Sequence, residues 1–420
     1  MKLKRRNRLL LFTLLFTLVF STTVFAATNP PELDGKAAIS VDMDTNEIIY
    51  AKNIDNKMYP ASITKLITAL LLAENKTTTD NLKYTKNAKA QPPYSYNLNI
   101  HPVAIGDTMS ADNVMDGLLL YSGNDIAYMI ADNVGGNPIN FAKMMNDKAA
   151  KLGMTGSHFI TPNGLDDAND KHFTTPYDLT LAGRAAYKNA WVKKSMGKKT
   201  SVIKSANGPV ATVTNRNKLL GIAGNVGGKT GYTIKAGRCL ISIYERNGRH
   251  ILGVVMNSTY NLPKDTIVFD DMTKLINYSY AAKKEVTTKK DTVIKTIISV
   301  PYKVIPFIGP TKTINIPLDS KEDVTFYKND VKLETTIKVD PIKPWKLNKK
   351  TSIGTLVVKQ KDYIKTYKLY PMVSKATILK NNIIIYAAIA VVLIAIIILV
   401  LILISSIRRR KNRSGRRIRY

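Results

Sequence analysis

The sequence predicts an α+β protein, in which an antiparallel sheet with a helical lobe is followed by a small all-β domain and one C-terminal transmembrane helix. Three observations carry this prediction. Strand-like segments begin and end the stretch up to residue 282, and mainly helical segments lie between them. Short β-branched and aromatic runs, many of them separated by prolines and lysines, fill residues 285–372. A long apolar run without charge or proline follows at residues 383–404.

The composition is that of a folded protein with a strongly basic charge. The chain has 420 residues, of which 45% are hydrophobic, and this favours two or three packed domains over disorder. The net charge is +31, but residues 1–8 hold five basic side chains and residues 408–420 hold eight. No nucleic-acid-binding motif and no compact patch of basic and aromatic residues is present, which argues against nucleic acid as a partner.

The two ends of the chain predict its location. A basic segment, an apolar run at residues 9–20 and small residues near position 26 predict a secretory signal peptide at residues 1–26. At about 1.5 Å per residue, the apolar run at 383–404 is long enough to cross a membrane core of about 30 Å. Four basic residues follow directly at 408–411. We therefore expect a single-pass protein of the cell membrane with its transmembrane helix at 383–407, its cytoplasmic tail at 408–420 and its body outside the cell.

The first predicted domain spans residues 30–282. Alternation of apolar residues around the turn at 44–46 predicts a hairpin over residues 36–50. The apolar body at 66–72 predicts a buried helix, and residues 111–133 predict a helical segment that breaks near 122–124. The remaining predictions are helices at 139–152, 180–189 and 265–279, a loop at 161–176, and strands at 210–219, 229–232, 238–244 and 250–256.

The second predicted domain, residues 285–372, is all-β. Its predicted strands lie around 293–298, 313–316, 324–327, 335–339, 356–358 and 363–370. We expect residues 372–382 to link this domain to the membrane helix. The favoured role of the domain is a rigid spacer that lifts the first domain above the membrane.

The first chemical motif is Ser62 followed three residues later by Lys65. Side chains at positions i and i+3 of a helix lie on one face, about 5–6 Å apart at Cβ. A lysine activates a serine only if burial or a second cation lowers the pKa of its ammonium group. Such spacing is common, so this motif alone also fits an ordinary helix start with a solvated lysine.

Two further motifs supply the remaining groups that serine chemistry needs. Ser122 and Asn124 flank a glycine and are able to relay a proton and to position Lys65. Lys229, Thr230 and Gly231 open a strand, with Thr233 close behind, and would face an anionic group of a substrate. Each motif alone also fits a helix break or a surface turn, but the three together predict an acyl-transfer enzyme that uses no catalytic histidine.

The sequence gives little support to catalysis by histidine, to a disulfide or to a metal site. The four histidines are His101, His158, His172 and His250, and no G-x-S-x-G segment accompanies them, so we expect them to be structural. The single cysteine, Cys239, excludes an intrachain disulfide and is expected to be buried. No zinc-ligand spacing is present, and no metal or organic cofactor is expected.

With these three motifs, the sequence resembles the low-molecular-mass penicillin-binding proteins, the D-alanyl-D-alanine carboxypeptidases of bacterial walls. The resemblance covers nearly the whole exported chain, and the Ser-Gly-Asn form of the second motif is usual in that family. Many relatives anchor by an amphipathic helix, whereas the run at 383–404 is apolar enough for a true span. The segments that carry the resemblance are residues 60–65, 122–125, 162–166, 229–233 and 236–240.

The resemblance implies a penicillin-binding protein and β-lactamase-like transpeptidase fold for the first domain, with a helical lobe and an α/β lobe. It implies Ser62 as nucleophile and Lys65 as base. Ser122 and Asn124 would act as the proton-relay and positioning groups. Lys229 and Thr230 would hold the substrate carboxylate. The backbone N–H groups of Ser62 and of a residue after Gly231, expected to be Thr233, would form the oxyanion hole.

We therefore expect a serine-type carboxypeptidase that removes the terminal D-alanine from peptidoglycan pentapeptide stems. Its expected partners are those stem peptides, β-lactams that acylate Ser62, and the membrane. A β-lactamase of the same fold is disfavoured because residues 161–177 contain no glutamate. A DD-endopeptidase would use the same residues. A non-catalytic wall-binding scaffold remains an alternative from another class, although it gives no reason to keep all the polar residues of the three motifs.

Overall fold

The computed structural model describes residues 29–92, 103–166 and 170–415. The predicted signal peptide, His101 and the end of the basic tail lie outside the described residues. The chain forms two units, one from residues up to Asp44 together with Ile49–Lys283, the other from Thr45–Ile48 together with the chain from Lys284 onward.

The first unit is built on a five-stranded antiparallel sheet. The strands of the whole unit, in chain order, are β1 Ala37–Asp42, β2 Ile48–Lys52, β3 Asn81–Lys83, β4 Thr108–Ser110, β5 Thr200–Ser205, β6 Gly208–Thr214, β7 Asn225–Thr233, β8 Gly237–Arg246 and β9 Arg249–Ser258. The large sheet has the order β2-β1-β9-β8-β7, while β3 pairs with β4 and β5 pairs with β6. The antiparallel register of β7 on β8 sets Lys229 opposite Ile241. The predicted antiparallel sheet is thus confirmed, and its edge strand β7 carries the third motif.

The helices of this unit form the predicted helical lobe and the cover of the sheet. They are α1 Lys65–Asn75, α2 Lys86–Lys89, α3 Ala111–Leu119, α4 Asn124–Gly135, α5 Pro138–Lys151, α6 Pro176–Lys188, α7 Ala190–Met196 and α8 Ile267–Ala281. Helix α1 is buried from Lys65 to Leu72 because α3, α4, α5 and α6 surround it. A helix that is apolar on most sides must be surrounded in this way, as its sequence predicts.

The sheet lies between α6 and α8, and two glycines allow the close packing. A Cβ on Gly253 of β9 would lie 2.7 Å from the sulfur of Met272 on α8. A Cβ on Gly183 of α6 would lie 2.6 Å from Leu252 Cδ1, on the strand residue next to Gly253. Successive strand residues point to opposite faces, so these contacts assign one helix to each face of the sheet.

Several segments of the first unit differ from the prediction. The strand predicted at 210–219 ends at Thr214, and it pairs back on β5, which the sequence analysis did not anticipate. Helix α7 was also not anticipated. Helix α6 begins at Pro176, earlier than predicted, because Thr175 caps it through its Oγ1, which accepts from the Asp178 N–H at 3.0 Å. Proline is favoured at this first helical position, since its missing N–H is not needed there.

The second unit contains a separate antiparallel sheet, as predicted. Its elements are β10 Glu285–Thr288, β11 Ile294–Ile305, β12 Ile308–Ser320, β13 Val324–Phe326, β14 Glu334–Val339, β15 Gly354–Gln360, β16 Tyr363–Pro371, α9 Lys375–Asn381 and α10 Ile383–Gly415. The main sheet has the order β11-β12-β16-β15-β14, and β10 pairs with β13. Alternate residues such as Ile314, Ile316 and Leu318 point into one core, which explains the spacing of the apolar runs.

The segment predicted as a linker, residues 372–382, is instead a structured part of this unit. It contains α9, whose Ile378 is fully buried in the core of the second unit. At its end, Asn382 is buried and donates to the Tyr302 hydroxyl at 2.8 Å and accepts from Lys312 at 2.9 Å. The chain therefore enters α10 from a fixed point on the sheet.

Helix α10 has the properties of a membrane span. Its segment Ile383–Lys411 has 29 residues and contains an 18-residue window with a mean hydropathy of 3.7, none of which is buried inside the protein. The predicted C-terminal helix that is apolar enough to cross a membrane is confirmed.

Asp271 of α8 ties the start of the chain to the sheet. It is buried, and its carboxylate accepts from the N–H groups of Asp34 and Gly35 and from the Ser258 hydroxyl, at 3.0, 2.8 and 2.8 Å. Because Asp271→Ala would leave these donors without a partner, we expect it to lower the free energy of unfolding by roughly 2–4 kcal/mol. Denaturant unfolding followed by tryptophan fluorescence measures this.

The neighbouring Asp270 is the matched control, since it lies on the same helical turn but is exposed. We expect Asp270→Ala to change the free energy of unfolding by less than about 1 kcal/mol. A Trp345→Phe background leaves Trp191 of this unit as the fluorescent reporter. Equal losses for the two aspartate variants would contradict the role given to the Asp271 carboxylate.

Candidate active site

The first motif lies in a tight turn where the helical lobe meets the sheet. Ser62 is in a 3₁₀ turn, Ala61–Thr64, that precedes α1, and Lys65 is the first residue of α1. Ala61 adopts a left-handed φ of 48°, which is unfavourable for a residue with a Cβ. Strand β7 passes close by, because a Cβ on Gly231 would lie 3.2 Å from the Ser62 nitrogen. The absence of a side chain at Gly231 therefore permits the approach of β7 to the serine.

Lys65 connects Ser62 to two other segments of the chain. Its Nζ donates to Ser62 Oγ at 2.8 Å, to Asn124 Oδ1 at 2.9 Å and to the main-chain carbonyl of Asn163 at 2.8 Å. These three acceptors match the three protons of an ammonium group. Lys65 is fully buried, so the amine is held beside the serine hydroxyl and away from bulk water.

Burial also changes the protonation of Lys65. Removal from water disfavours the ammonium form and lowers the pKa of Lys65 to about 7. The positive charge of Arg216 lowers this pKa further, while the negative charge of Asp125 opposes the shift. A lysine with a pKa near neutrality is able to act as a base at physiological pH.

The second motif provides the helical-lobe side of the site. Ser122 has a left-handed φ of 63° and lies just before α4, of which Asn124 is the first residue. Both side chains are buried. The next residue, Asp125, is fully buried and accepts from the hydroxyl of Tyr84 at 2.8 Å. The pKa of Tyr84 is raised by burial and by the Asp125 charge, so the phenol keeps its proton and continues to donate.

The third motif provides a second buried amine on the sheet side. Lys229 is buried, and its Nζ donates to Ser122 Oγ at 2.9 Å and to the carbonyl of Thr230 at 2.9 Å. Burial lowers the pKa of Lys229, and the charges of Lys65 and Arg216 act in the same direction. The structure thus brings Ser62, Lys65 and Asn124 into one hydrogen-bonded network and Ser122 and Lys229 into another, and the charge of Lys65 acts on Lys229.

The Thr233 hydroxyl is hydrogen-bonded within the protein. Its Oγ1 donates to Asp166 Oδ2 at 2.6 Å and accepts from the Ala236 N–H at 3.0 Å. Asp166 is buried, so this contact ties the predicted loop to the end of β7. Thr230 is buried beside Lys229 on β7, as the motif predicts.

The loop that begins at residue 161 closes the site from a third direction. The Thr68 hydroxyl of α1 donates to the Pro162 carbonyl at 2.6 Å. Gly164 has a φ of +85°, and a Cβ there would lie 1.9 Å from the Ala61 carbonyl oxygen. This glycine therefore packs directly under the turn that carries Ser62. Only the resemblance to the family pointed to this segment, because a main-chain acceptor such as the Asn163 carbonyl leaves no signature in a sequence.

The described histidines stay outside both networks. His172 Nδ1 accepts from the N–H groups of Ile160 and Thr161 at 3.1 and 3.3 Å, so the ring proton is on Nε2, which donates to Thr64 Oγ1 at 2.9 Å. Burial, with the charges of His158 and Lys65, lowers the pKa of His172 to about 3. His172 is therefore a neutral buried group that braces the serine turn through Thr64.

Arg216 is the charged residue near the site that the sequence analysis missed. Its charge lowers the pKa of both Lys65 and Lys229, so it lies within electrostatic range of both amines. A lone arginine before β7 belongs to no motif. Cys239 is fully buried, as predicted, and burial raises the pKa of its thiol to about 11.

Comparison with known proteins agrees with this geometry. Residues 23–260 match the peptidase S11 family, which is described as D-alanyl-D-alanine carboxypeptidase. The chain is 25% identical to the D-alanyl-D-alanine carboxypeptidase DacF of Bacillus subtilis over 347 residues, which cover 78% of this chain and 82% of the relative. It is 31% identical to the D-alanyl-D-alanine carboxypeptidase DacB2 of Mycobacterium tuberculosis, over 60% of this chain and 84% of the relative.

A solved structure extends the comparison to the fold. Penicillin-binding protein D2 of Listeria monocytogenes, in its cefotaxime-bound form, aligns with a TM-score of 0.53 and 28% identity. The alignment covers 60% of this chain and 100% of that chain. The expected penicillin-binding fold of the first unit is therefore confirmed.

The contact between Gly164 and Ala61 predicts a sharp difference between two glycines. Gly164→Ala would force a Cβ against the Ala61 carbonyl, so we expect it to cost roughly 2–4 kcal/mol of stability. It should also displace Ser62 and slow its covalent labelling by a fluorescent penicillin. Thermal unfolding and the labelling rate are the two measurements.

Gly136 gives the matched control because its φ is +76° but no atom lies within 4 Å of its Cβ position. Gly136→Ala should cost only about 1–2 kcal/mol, from the backbone conformation alone, and leave labelling unchanged. If both variants labelled like the unmodified protein, the loop would not be what positions the serine.

Proposed function

The chain belongs to the D-alanyl-D-alanine carboxypeptidase family and is a serine-type hydrolase of that family, and from this premise we propose that Ser62 is its nucleophile and Lys65 its general base. The observation that carries the proposal is the fully buried Lys65 amine 2.8 Å from Ser62 Oγ. A base must lie within hydrogen-bond reach of the proton it takes and have a pKa near the working pH. With a pKa of about 7, Lys65 meets both requirements.

The proposed reaction passes through an ester on Ser62. The neutral Lys65 amine takes the hydroxyl proton while Oγ attacks the carbonyl carbon of the penultimate D-alanine of the stem peptide. The C–N bond to the terminal D-alanine then breaks, and the leaving nitrogen receives, through the Ser122 hydroxyl, the proton that Lys65 took, so Lys65 is neutral again; Lys229, which donates to Ser122 at 2.9 Å, holds that hydroxyl in place. Water then gives a proton to Lys65 as it attacks the ester, and Lys65 returns that proton to Ser62 Oγ as the shortened stem leaves.

The oxyanion of the tetrahedral intermediate is proposed to bind to the backbone N–H groups of Ser62 and Thr233. The contact that supports this is the approach of Gly231 to the Ser62 nitrogen, which brings the end of β7 beside the serine turn. Backbone N–H groups fixed before substrate binding are effective donors, because they need no reorganisation as the charge develops.

The substrate carboxylate is proposed to bind on the basic side of the site. Lys229 and Thr230 lie together on β7, and the charge of Arg216 acts on Lys229. A terminal carboxylate is the feature that separates a D-alanyl-D-alanine terminus from an internal peptide bond. This cationic side favours a carboxypeptidase over the endopeptidase alternative.

Two further properties are proposed from the family. The cefotaxime-bound relative supports acylation of Ser62 by β-lactams. Helix α10 is proposed to span the membrane with the basic residues at 408–420 in the cytoplasm and both folded units outside, because positive residues remain on the cytoplasmic side.

The nucleophile assignment is tested by Ser62→Ala. We expect release of D-alanine from a pentapeptide to fall by more than about 1,000-fold, since no other hydroxyl has Lys65 as its base. Covalent labelling by fluorescent penicillin should disappear while the circular dichroism spectrum is unchanged. Labelling that persists in this variant would refute the assignment, and splitting of cross-linked stem dimers by the unmodified protein, without D-alanine release, would favour the endopeptidase.

The base assignment is tested by pH. The neutral fraction of Lys65 rises as pH passes through about 7, so the acylation rate should increase with pH there and then level off. Stopped-flow measurement with a fluorescent β-lactam from about pH 5 to about pH 9 follows this rise. A rate independent of pH over this interval is the contrary result.

Arg216→Ala adds a directional check on the same profile. Because the Arg216 charge lowers the pKa of Lys65, its removal should move the midpoint of the profile to higher pH. Lys194→Ala removes an equal charge from an exposed position on α7 and should leave the midpoint where it was.

A further inference from the structure

The hairpin between β11 and β12 ends in an exposed apolar tip. Phe307 is 93% exposed and Ile308 is 69% exposed, although both side chains are large and apolar. Ile305 pairs with Ile308, so Pro306 and Phe307 form the turn itself. Such residues at the end of a long hairpin indicate a surface that is covered in the cell.

The backbone of the turn makes the phenylalanine more unusual. Phe307 has a left-handed φ of +74° and follows a proline. In a turn led by proline, glycine or asparagine is usual at a position with positive φ. A bulky apolar side chain is held there against its conformational preference, which local folding alone does not explain.

The hairpin runs beside the start of α10. Asn382 donates to the Tyr302 hydroxyl at 2.8 Å, and Tyr386 donates to the Val304 carbonyl at 2.6 Å. Two strand residues advance about 6.6 Å and four helical residues about 6 Å, so strand and helix progress together in one direction. The tip lies beyond Val304, and therefore beside the apolar part of α10 past Tyr386.

Aromatic and basic residues surround this part of the hairpin. Trp345 donates its indole N–H to the Lys303 carbonyl at 3.0 Å, next to the carbonyl that Tyr386 uses. Tryptophan and tyrosine favour the boundary between lipid and water, where one end of the side chain is apolar and the other polar. Lys303 and Lys380 are exposed at this end of the second unit and carry charges that suit anionic lipid headgroups.

From these observations we propose that the tip formed by Pro306, Phe307 and Ile308 inserts into the outer face of the bilayer beside α10. The occupant of the apolar tip is lipid, at the boundary between headgroups and acyl chains. The insertion gives the second unit a second attachment point, which fixes its tilt on the membrane. The inference rests on the proposed span of α10.

A fluorescence depth measurement on the full chain tests the proposal. NBD is attached to single cysteines in a Cys239→Ala background, and the protein is placed in vesicles of phosphatidylethanolamine and phosphatidylglycerol that carry doxyl-labelled lipids. With Phe307→Cys, we expect a blue-shifted emission and loss of fluorescence with lipids labelled near the headgroup. Ile364→Cys is the matched control, because Ile364 is 60% exposed and lies at the opposite end of the sheet. It should show neither change.

A third probe separates failure of the tip from failure of the anchor. Ile394→Cys, in the middle of the apolar part of α10, should lose fluorescence with lipids labelled deep in the acyl chains. Quenching at 394 together with a water-exposed probe at 307 would overturn the inserted tip alone. Probes in water at both positions would overturn the span and the tip together. A blue-shifted probe at 307 that lipids do not quench would indicate contact with a second copy of the chain, and would also overturn the proposal.

Phe307→Gly gives a variant that is not expected to harm folding, since glycine relieves the left-handed conformation. With the probe at Thr311→Cys, on the same hairpin, this change should reduce the quenching by headgroup-labelled lipids. Ile364→Ser with the same probe should not. Unchanged quenching with Phe307→Gly would contradict the role given to the phenylalanine.

Discussion

The burial of two lysine amines at one point is the constraint on which the rest of the first unit depends. An ammonium group removed from water is strongly destabilised unless acceptors surround it. Lys65 finds them on the serine turn, on Asn124 of α4 and on the main chain of Asn163, while Lys229 finds Ser122. These partners lie far apart in the sequence. The helical lobe, the loop and the edge of the sheet must therefore meet at the amines, and the same meeting places the Ser62 hydroxyl beside the Lys65 amine.

The backbone around the amines departs from the local preferences that hold elsewhere. Ala61, Ser122 and Gly164 all have left-handed φ angles, and two of the three are not glycine. Strained conformations persist only where the surrounding structure determines them, and they concentrate at functional sites. Here Ala61 lies next to Ser62 in the turn that Gly164 packs under, and Ser122 carries the hydroxyl that Lys229 contacts. The site is therefore formed in full by the fold itself, which is the condition for electrostatic stabilisation without reorganisation.

The sequence predicted those parts of the molecule that local patterns encode. Hydrophobic periodicity identified the strands of the large sheet and the buried helix α1, and polar motifs identified the side chains that meet at Ser62. Three features were missed for physical reasons. The Asn163 carbonyl is a main-chain group and has no residue signature. Arg216 acts through its charge across space and belongs to no spacing pattern. The helix within residues 375–381 is decided by the packing of Ile378 in the core of the second unit, which outweighs local propensity.

The lowered pKa of Lys65 affects both the proposed catalysis and the pH dependence of folding stability. The unfolded chain has an ordinary lysine pKa of 10.5, and the folded value is about 7. Between these pH values the unfolded state binds more protons than the folded state, so the free energy of unfolding rises with pH across that window. Below about pH 7 the full cost of keeping the buried amine protonated, on the order of 5 kcal/mol, remains. The neutral amine, which is the form that the proposed mechanism requires, is thus also the form that the fold prefers. Asp125 opposes the shift and keeps the pKa from falling further. This matters because the same amine must hold the proton it has taken until the leaving group accepts it, and a base with a much lower pKa would take that proton less readily.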